Sequence, residues 1–414
     1  MQITWTNSLN IERPAWGRLH LCHAPTILCL LLLNGCMTNS NKSSWFVGSD
    51  SIAEIPFYLE SGVIIIEAKI NGKSGRFLFD NGFSQSALDA QFAQAAGVEF
   101  KNESFLTDFN KTKKSTPLTT VDTAQIDHFY FLHTPFYQVD TDLIFPCDTI
   151  HGIIGGSIIN EVNWQIDFDK NTIRISKKPF INQGIPLEIE FRNNNETFTQ
   201  LSLGENTSVN CKIDFGSNGA LKLRYEDVID HLKGIEVEKR KGVRAISIHG
   251  PGPVETYYYT RNPVKIHQDT NAFLPASTVI IHDLKYNGYL GTEYFRQYLV
   301  SINSSNKEYL LLPRDSNRIN QDHKLTYGLS LYPIDNQWVV IHKNETDESL
   351  SDVSVFDDIL EIDNQPIAHF QDICMFRQYM ENKKKDKEEL VLRISGQDTA
   401  IVVPYAPPAI SLLD

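Results

Sequence analysis

The sequence predicts a mainly β protein built by internal duplication, with a third β-rich region after the second copy. Three observations carry that expectation. Ile70-Asn-Gly-Lys-Ser-Gly-Arg-Phe-Leu-Phe-Asp80-Asn81-Gly82 returns in weakened form as Asn206-Thr-Ser-Val-Asn-Cys-Lys-Ile-Asp214-Phe215-Gly216. A second marker, Gly152-Ile153-Ile154-Gly155, returns as Gly288-Tyr289-Leu290-Gly291, so the two markers repeat at offsets of about 134 and 136 positions. A third pair, residues 162–167 and 299–303, leads in each copy through a polar turn into a short β-run, 172–175 and 308–312.

Taken from the N-terminus, Arg13 and Arg18 precede an apolar run over 24–33. That run is too short to span a bilayer as a stable helix and has the length of a signal-peptide core. It ends Leu33-Asn34-Gly35-Cys36, which resembles a bacterial lipobox. The resemblance implies a cleaved leader over 1–35 and a lipid on Cys36. Residues 36–50, rich in Ser, Asn and Thr, read as a polar tether. The expected location is the bacterial cell envelope, lipid-anchored to a membrane, the outer one favoured, with the body facing the periplasm or the exterior.

The first copy is assigned to 51–179 and the second to 180–314. In each, an apolar strand ends on an aspartate followed two positions later by glycine, which lets the chain turn sharply beside the carboxylate. Residues 84–97 read as a helix with Ser84 as N-cap, an Ala-rich body and a closing glycine, and 225–234 repeats it. Between the aspartate turn and the Gly-rich strand each copy has room for a hairpin. The first has the polar tip 108–115, and the second has Gly250-Pro251-Gly252-Pro253 between the runs 243–248 and 254–259. Either a flap closing over an extended peptide or an ordinary surface hairpin suits both. Tyr257-Tyr258-Tyr259 reads as a strand packed on both faces ahead of a substrate shelf.

Two strand-end aspartates in one chain matter because carboxylates held a few ångströms apart cannot both ionise. One proton is shared, so one group serves as base toward a water while the other serves as acid. At these residues the chain resembles the retropepsin-like aspartic proteases, specifically the bacterial single-chain form with two fused lobes and a C-terminal PDZ domain. The resemblance covers roughly 52–407. It implies two pepsin/retropepsin-like β-barrel lobes, with Asp80 and Asp214 as the catalytic dyad hydrolysing a peptide bond. Asn81, Gly82, Ser84, Gly216 and Ser217 would support it, the two serines as donors that orient the carboxylates. The family's Thr/Ser hydroxyl after each aspartate is replaced here by Asn81 and Phe215. Asn can still make a bond across the lobe interface, and Phe cannot. The competing reading is therefore an inactive pseudoprotease that binds peptides, or an envelope scaffold.

Past Pro313 a polar linker, 315–324, precedes a third region at 325–407 and a short tail, 408–414. Gly328-Leu329-Ser330-Leu331 resembles the carboxylate-binding loop of a PDZ domain. The stretch 355–367 resembles its following Gly-Asp-Ile-Leu-x-Ile-Asp-Gly strand, with Asp357 and Asn364 where glycines are expected. Residues 371–381 suit the helix beside the groove, 383–389 a solvated helix end, and 389–394 and 399–403 closing strands. The resemblance implies capture of protein C-termini by β-addition.

Composition limits the alternatives. A formal charge of −13 argues against nucleic acid and against adhesion to anionic lipid headgroups. Of six cysteines, Cys22 and Cys29 leave with the leader and Cys36 is the proposed lipid site. Cys147, Cys211 and Cys374 remain, an odd number scattered over three regions, which argues against a disulfide framework. No His/Cys spacing suits zinc, and no metal or organic cofactor is expected. Asp214-Phe215-Gly216 also spells a kinase magnesium motif, but no Gly-rich loop, Lys strand or His-Arg-Asp loop accompanies it. Gly152–Gly156 has no following Lys-Ser/Thr and reads as buried strand. The expected partners are a polypeptide substrate, protein C-termini and, through the lipid, a membrane, with one chain sufficing for the dyad.

Overall fold

Long apolar runs dictate the first sheet. In Val63–Ile70 the first four side chains are all buried, so the strand is covered on both faces there and alternates only further on. It pairs antiparallel with Ala53–Glu60 and with Lys73–Phe79, and the latter runs directly into Asp80. The computed structural model describes residues 45–192, 195–203, 207–260, 278–314, 327–334, 337–370, 372–405 and 411–412. The expected leader (1–35), Cys36, most of the tether, the linker 315–324 and most of the tail lie outside the described residues.

The fold is mainly β, as expected. Lys73–Phe79 lies parallel to Gly152–Ile154, which lies antiparallel to Ser86–Asp89. Around the second aspartate the pattern returns: Thr207–Asp214 is parallel to Gly288–Gly291, which is antiparallel to Leu221–Arg224. Each Gly-rich marker is thus the strand inserted between the aspartate's own strand and the one after the turn. Its last glycine permits that fit, since a Cβ at Gly155 would overlap the Gln85 carbonyl and one at Gly291 the Gly219 carbonyl.

The third marker pairs with its own repeat. Asn163–Asp167 lies antiparallel to Tyr298–Asn303, with Trp164 opposite Ile302 and Ile166 opposite Val300. The sheet runs through this junction in the order Ile185–Glu188, Glu308–Pro313, Tyr298–Asn303, Asn163–Asp167, Thr172–Ser176, Ala53–Glu60. One core passes across it, containing the fully buried Phe79, Trp164, Phe215, Phe295 and Tyr309. Each such side chain contributes roughly 1.5–3 kcal/mol of burial energy, so the two motifs are held in a fixed relation beneath the turns.

Two expectations are corrected here. The helix expected over 84–97 is confined to Ala90–Ala95, and Asp89 rather than Ser84 caps it, accepting from the N–H groups of Gln91 and Phe92. Ser86–Asp89 is strand because Ala87 and Leu88 are hydrogen-bonded on both sides, parallel to Phe129–Val139 and antiparallel to Gly152–Ile154. Sheet pairing outweighs the local helical preference. In the second copy the helix Tyr225–Leu232 likewise follows a strand, Leu221–Arg224.

The third region has its own core around Trp338, Val340, Ile362, Phe376 and Leu392. A four-stranded sheet, ordered Gln365–Pro366, Ile359–Ile362, Leu390–Ile394, Ile401–Val403, accompanies the helix Ile373–Asp386. Asp372 caps that helix by accepting from Cys374 and Met375 N–H. The run 383–389, expected to be solvated, is not so at its start: Lys383 is buried and its ammonium lies 2.6 Å from Asp363. Asn364 takes φ +61, the left-handed conformation a glycine would otherwise supply.

The hairpin Leu329–Ile334/Gln337–Asn344 is not separate from the second copy. Its second strand pairs with Glu236–Val243, extending that sheet. The cysteine expectation is corrected as well: Cys147 is disulfide-bonded to Cys374 across 227 positions, with Cα atoms 5.2 Å apart, and Cys211 is left free and buried. The spacing gave no hint because the C-terminal core folds against the loop that carries Cys147. Cys147 packs on that core, and the Tyr332 hydroxyl donates to the Leu143 carbonyl at 3.2 Å.

Candidate functional site

The repeat brings the two aspartates to one point. Asp80 is held at the end of its strand by an N–H bond to the Ile154 carbonyl at 3.0 Å. The turn then carries Gly82 N–H back to the Asp80 Oδ1 at 2.7 Å. From the other copy, Gly216 N–H donates to the same oxygen at 3.1 Å. A Cβ at Gly82 would overlap the Asp214 carboxylate and one at Gly216 the Asp80 carboxylate, so each glycine admits the opposite acid. The two carboxyls share a hydrogen bond, and burial first, then the neighbouring Asp214 charge, push Asp80 up to about 8, with Lys212 opposing. Asp80 therefore keeps a proton where a solvated aspartate would have lost it.

Asn81 ties the turns together. Its Oδ1 accepts from the Phe215 N–H at 3.0 Å and its Nδ2 donates to the Tyr309 hydroxyl, also at 3.0 Å. Asn81 thus crosses between the copies as acceptor and donor at once. Phe215 cannot return a side-chain bond, and its ring is packed between Phe79, at 5.9 Å, and Phe295, at 4.7 Å. Its carbonyl is fixed by the Thr292 hydroxyl at 2.7 Å. The serines stand elsewhere. Ser217 Oγ accepts from the Lys222 ammonium at 2.8 Å. Ser84 lines the cleft, and among the described residues its hydroxyl bonds neither carboxylate.

Above the aspartates lies a cavity of about 210 Å³. From the first copy it is lined by the apolar Leu78, Leu106, Ile144 and Ile153, with Ser84, Thr107 and Asp108 beside them. Its second-copy wall carries Glu196, Lys212, Lys222, Lys285 and Tyr289. The roof is formed by the two hairpins, whose tips meet. Asn110 Nδ2 donates to the Ala245 carbonyl at 3.0 Å, Lys114 to the His249 carbonyl at 3.2 Å, and Ser247 to the Asp108 carboxylate. Phe109 reaches past them to meet Tyr289 edge-to-face, at 5.1 Å between ring centres. Both hairpins left open in the sequence stand over the cleft.

Of the other expected site residues, Gly328 takes φ +61 and its carbonyl accepts from Asn344 N–H at 2.6 Å, while Leu329, Ser330 and Leu331 begin the strand at the end of its sheet. Sequence reading missed Tyr309, Thr292 and the lysines of the cleft. Tyr309 and Thr292 gave no signal, being reached only through the sheet. Lys212 and Lys222 had one: Lys212 stands two positions before Asp214, where the first copy has Leu78 before Asp80. Among the described residues no group of three or more His, Cys, Asp or Glu could hold a metal ion, and no helix is long and apolar enough to cross a membrane.

Comparison with known proteins reaches part of the chain. A family model described as aspartyl protease matches residues 66–158, which include the Asp80 turn and the first Gly-rich strand but not the second copy. No curated protein matches the chain. Among solved structures the chain is similar to a retropepsin-like aspartic protease from Rickettsia conorii, at 20% identity, covering 31% of this chain and 94% of that one, with a TM-score of 0.23. The family match supports a peptidase.

Proposed function

We propose that this chain is an aspartic endopeptidase in which Asp80 and Asp214, from one polypeptide, act on a single water. The observation that carries the reading is the facing pair: two hydrogen-bonded carboxyls, each admitted by the other's glycine, beneath two joined hairpins. With one proton between them, the ionised carboxylate takes a proton from the water as its oxygen attacks the peptide carbonyl. The protonated partner gives its proton to the carbonyl oxygen. Collapse of the resulting diol breaks the C–N bond as the amine leaves with a proton returned through the pair. Asn81 is the cross-brace that holds the turns, and the hairpins are flaps that must part to admit an extended chain.

The regions 51–179 and 180–314 are proposed as two lobes, and 325–407 as a PDZ-like domain that takes peptide C-termini through 328–331. Cys36 is proposed as the lipid-bearing residue that anchors the protein in the cell envelope. A second reading, a peptide binder without turnover, is favoured by one observation: Phe215 offers no side-chain hydrogen bond where the first copy has Asn81. Cleavage of a diverse peptide library by residues 37–414, beside folded Asp80→Ala and Asp214→Ala proteins, separates them. Loss of cleavage with either substitution supports the peptidase, and peptide binding without cleavage by the parent supports the second reading.

A further inference from the structure

At matching positions beneath and beside the cleft the two copies carry side chains of different character. Strand register defines the match without appeal to similarity. Leu78 lies beside Ile153, and Ile153 faces Ala87; in the second copy Lys212 lies beside Tyr289, and Tyr289 faces Lys222. Leu78, Ala87 and Ile153 therefore correspond to Lys212, Tyr289's neighbour on one side, Lys222, its neighbour on the other, and Tyr289 itself. One strand further out, Ile65 opposes Leu78 and Phe198 opposes Lys212, so Val63 corresponds to Glu196. In the first copy Val63, Ile65, Leu78, Ala87 and Ile153 form one buried apolar cluster. These positions thus hold only hydrocarbon in the first copy, whereas in the second Glu196, Lys212 and Lys222 put charge among Phe198 and Tyr289.

Charge in such a place is costly. Burying an ion pair where an apolar group would fit is commonly neutral to destabilising, and the first copy shows that an apolar filling fits. The charges are also unequal. Glu196 takes Lys212 at 2.7 Å, the Tyr286 hydroxyl at 2.7 Å and Lys285 at 4.0 Å. Lys222 gives its ammonium to the neutral Ser217 hydroxyl at 2.8 Å and lies 4.8 Å from the centre of the Phe109 ring. No carboxylate lies within ion-pair reach of Lys222 among the described residues. Burial holds its pKa below the ordinary lysine value, with Asp214 only partly opposing. Asp108, which also lines the cavity, is committed to the Ser247 hydroxyl and the Thr112 N–H.

We infer that the second-copy wall is a subsite for a carboxylate of the substrate, an Asp or Glu side chain next to the scissile bond, with Lys222 as the residue that receives it. The inference rests on the peptidase reading and names its substrate class. The anion would replace the Ser217 hydroxyl and the Phe109 ring as the partner of Lys222, offsetting desolvation that the free site compensates only in part. The apolar wall opposite would take a hydrophobic side chain on the other side of the bond. Lys222 touches substrate in this scheme and sets specificity, whereas Lys212 is positioned by Glu196.

The test uses peptides blocked at both ends, with Leu on one side of the bond and Glu, Gln or Lys on the other, in both orders. Residues 37–414 are assayed as parent, Lys222→Gln, Lys222→Glu and Lys222→Arg. The readouts are kcat/KM and, on an Asp80→Asn background, Kd by fluorescence anisotropy. The expected result is a Glu-over-Gln preference of about tenfold, the equivalent of one charge-assisted contact. It should be kept by Lys222→Arg, lost in Lys222→Gln and turned toward Lys by Lys222→Glu. Cleavage with no Glu preference overturns this inference and leaves the peptidase standing. No cleavage, with Glu peptides still bound through Lys222, overturns the peptidase and leaves the subsite. A preference that Lys222→Gln does not change overturns the role of Lys222. Neither cleavage nor binding overturns both.

Discussion

Replacing Asn81 with alanine isolates the contact that ties the two aspartate turns together. The carboxamide bonds the Phe215 N–H and the Tyr309 hydroxyl, each at 3.0 Å, and both residues are fully buried. After truncation neither group gains water in exchange. The orphaned Phe215 N–H costs about 1–3 kcal/mol and the Tyr309 hydroxyl keeps only Thr197 as a neighbour, so the loss of both bonds predicts a destabilisation of about 2–4 kcal/mol. Tyr309→Phe removes one of the two bonds and should cost less, about 1–2 kcal/mol. Because both variants break the same bond, the double variant should fall short of their sum. The consequence for turnover is positional. The turn that Asn81 steadies carries Asp214 and Gly216, and a shift of about 1 Å at a reacting group costs on the order of 10²-fold in rate. Urea midpoints of residues 37–414 and kcat/KM on one cleaved peptide are the assays. An Asn81→Ala protein within about 0.5 kcal/mol of the parent, with kcat unchanged, would refute the idea that this side chain braces the site.

Three further outcomes are expected. Asp80 holds its proton up to about 8, so kcat should fall as pH rises through that value and the shared proton is lost. The folded pKa lies above the unfolded one, so stability should also decline from about pH 4 toward pH 8, a slope that Asp80→Asn flattens in urea midpoints. Cys147→Ser opens a cross-link spanning 227 positions, for which chain entropy predicts a loss of up to about 5 kcal/mol. A parent whose unfolding midpoint ignores reductant would contradict the bond. Phe215→Ala empties the space between Phe79 and Phe295 and should cost about 3–5 kcal/mol, read in the same unfolding assay. A smaller change would mean that the ring is not part of the shared core.

Much of the fold was legible because duplication leaves a signal that survives divergence. Asp80 and Asp214, and Gly152 and Gly288, keep their spacing since each strand must enter its sheet at a fixed distance from the turn. The proximity of the two acids was an expectation from resemblance, whereas the path of the brace was not readable at all. Tyr309 reaches Asn81 only after two strands from different copies have paired. Ser86–Asp89 was misread because its residues suit either helix or strand and only partners distant in sequence decide. The Cys147–Cys374 bond was hidden by arithmetic that treated the regions as independent. Lys212 and Lys222 were visible from the outset, but a charged residue on a strand reads as a solvent-facing position until the register shows which neighbours it faces.

The sharing of Glu236–Val243 changes how the C-terminal region can be studied. That strand has Val254–Thr260 on one side and Gln337–Asn344 on the other. Cutting the chain after the second copy would remove one neighbour, bare a row of backbone donors and acceptors, and strand the Cys147 thiol. A truncated protein that clumps or loses activity would then report on its new edge, not on a ligand of the missing part. The C-terminal region supplies a strand to the sheet that carries the second hairpin, and its purpose is better probed by single substitutions that leave that pairing in place.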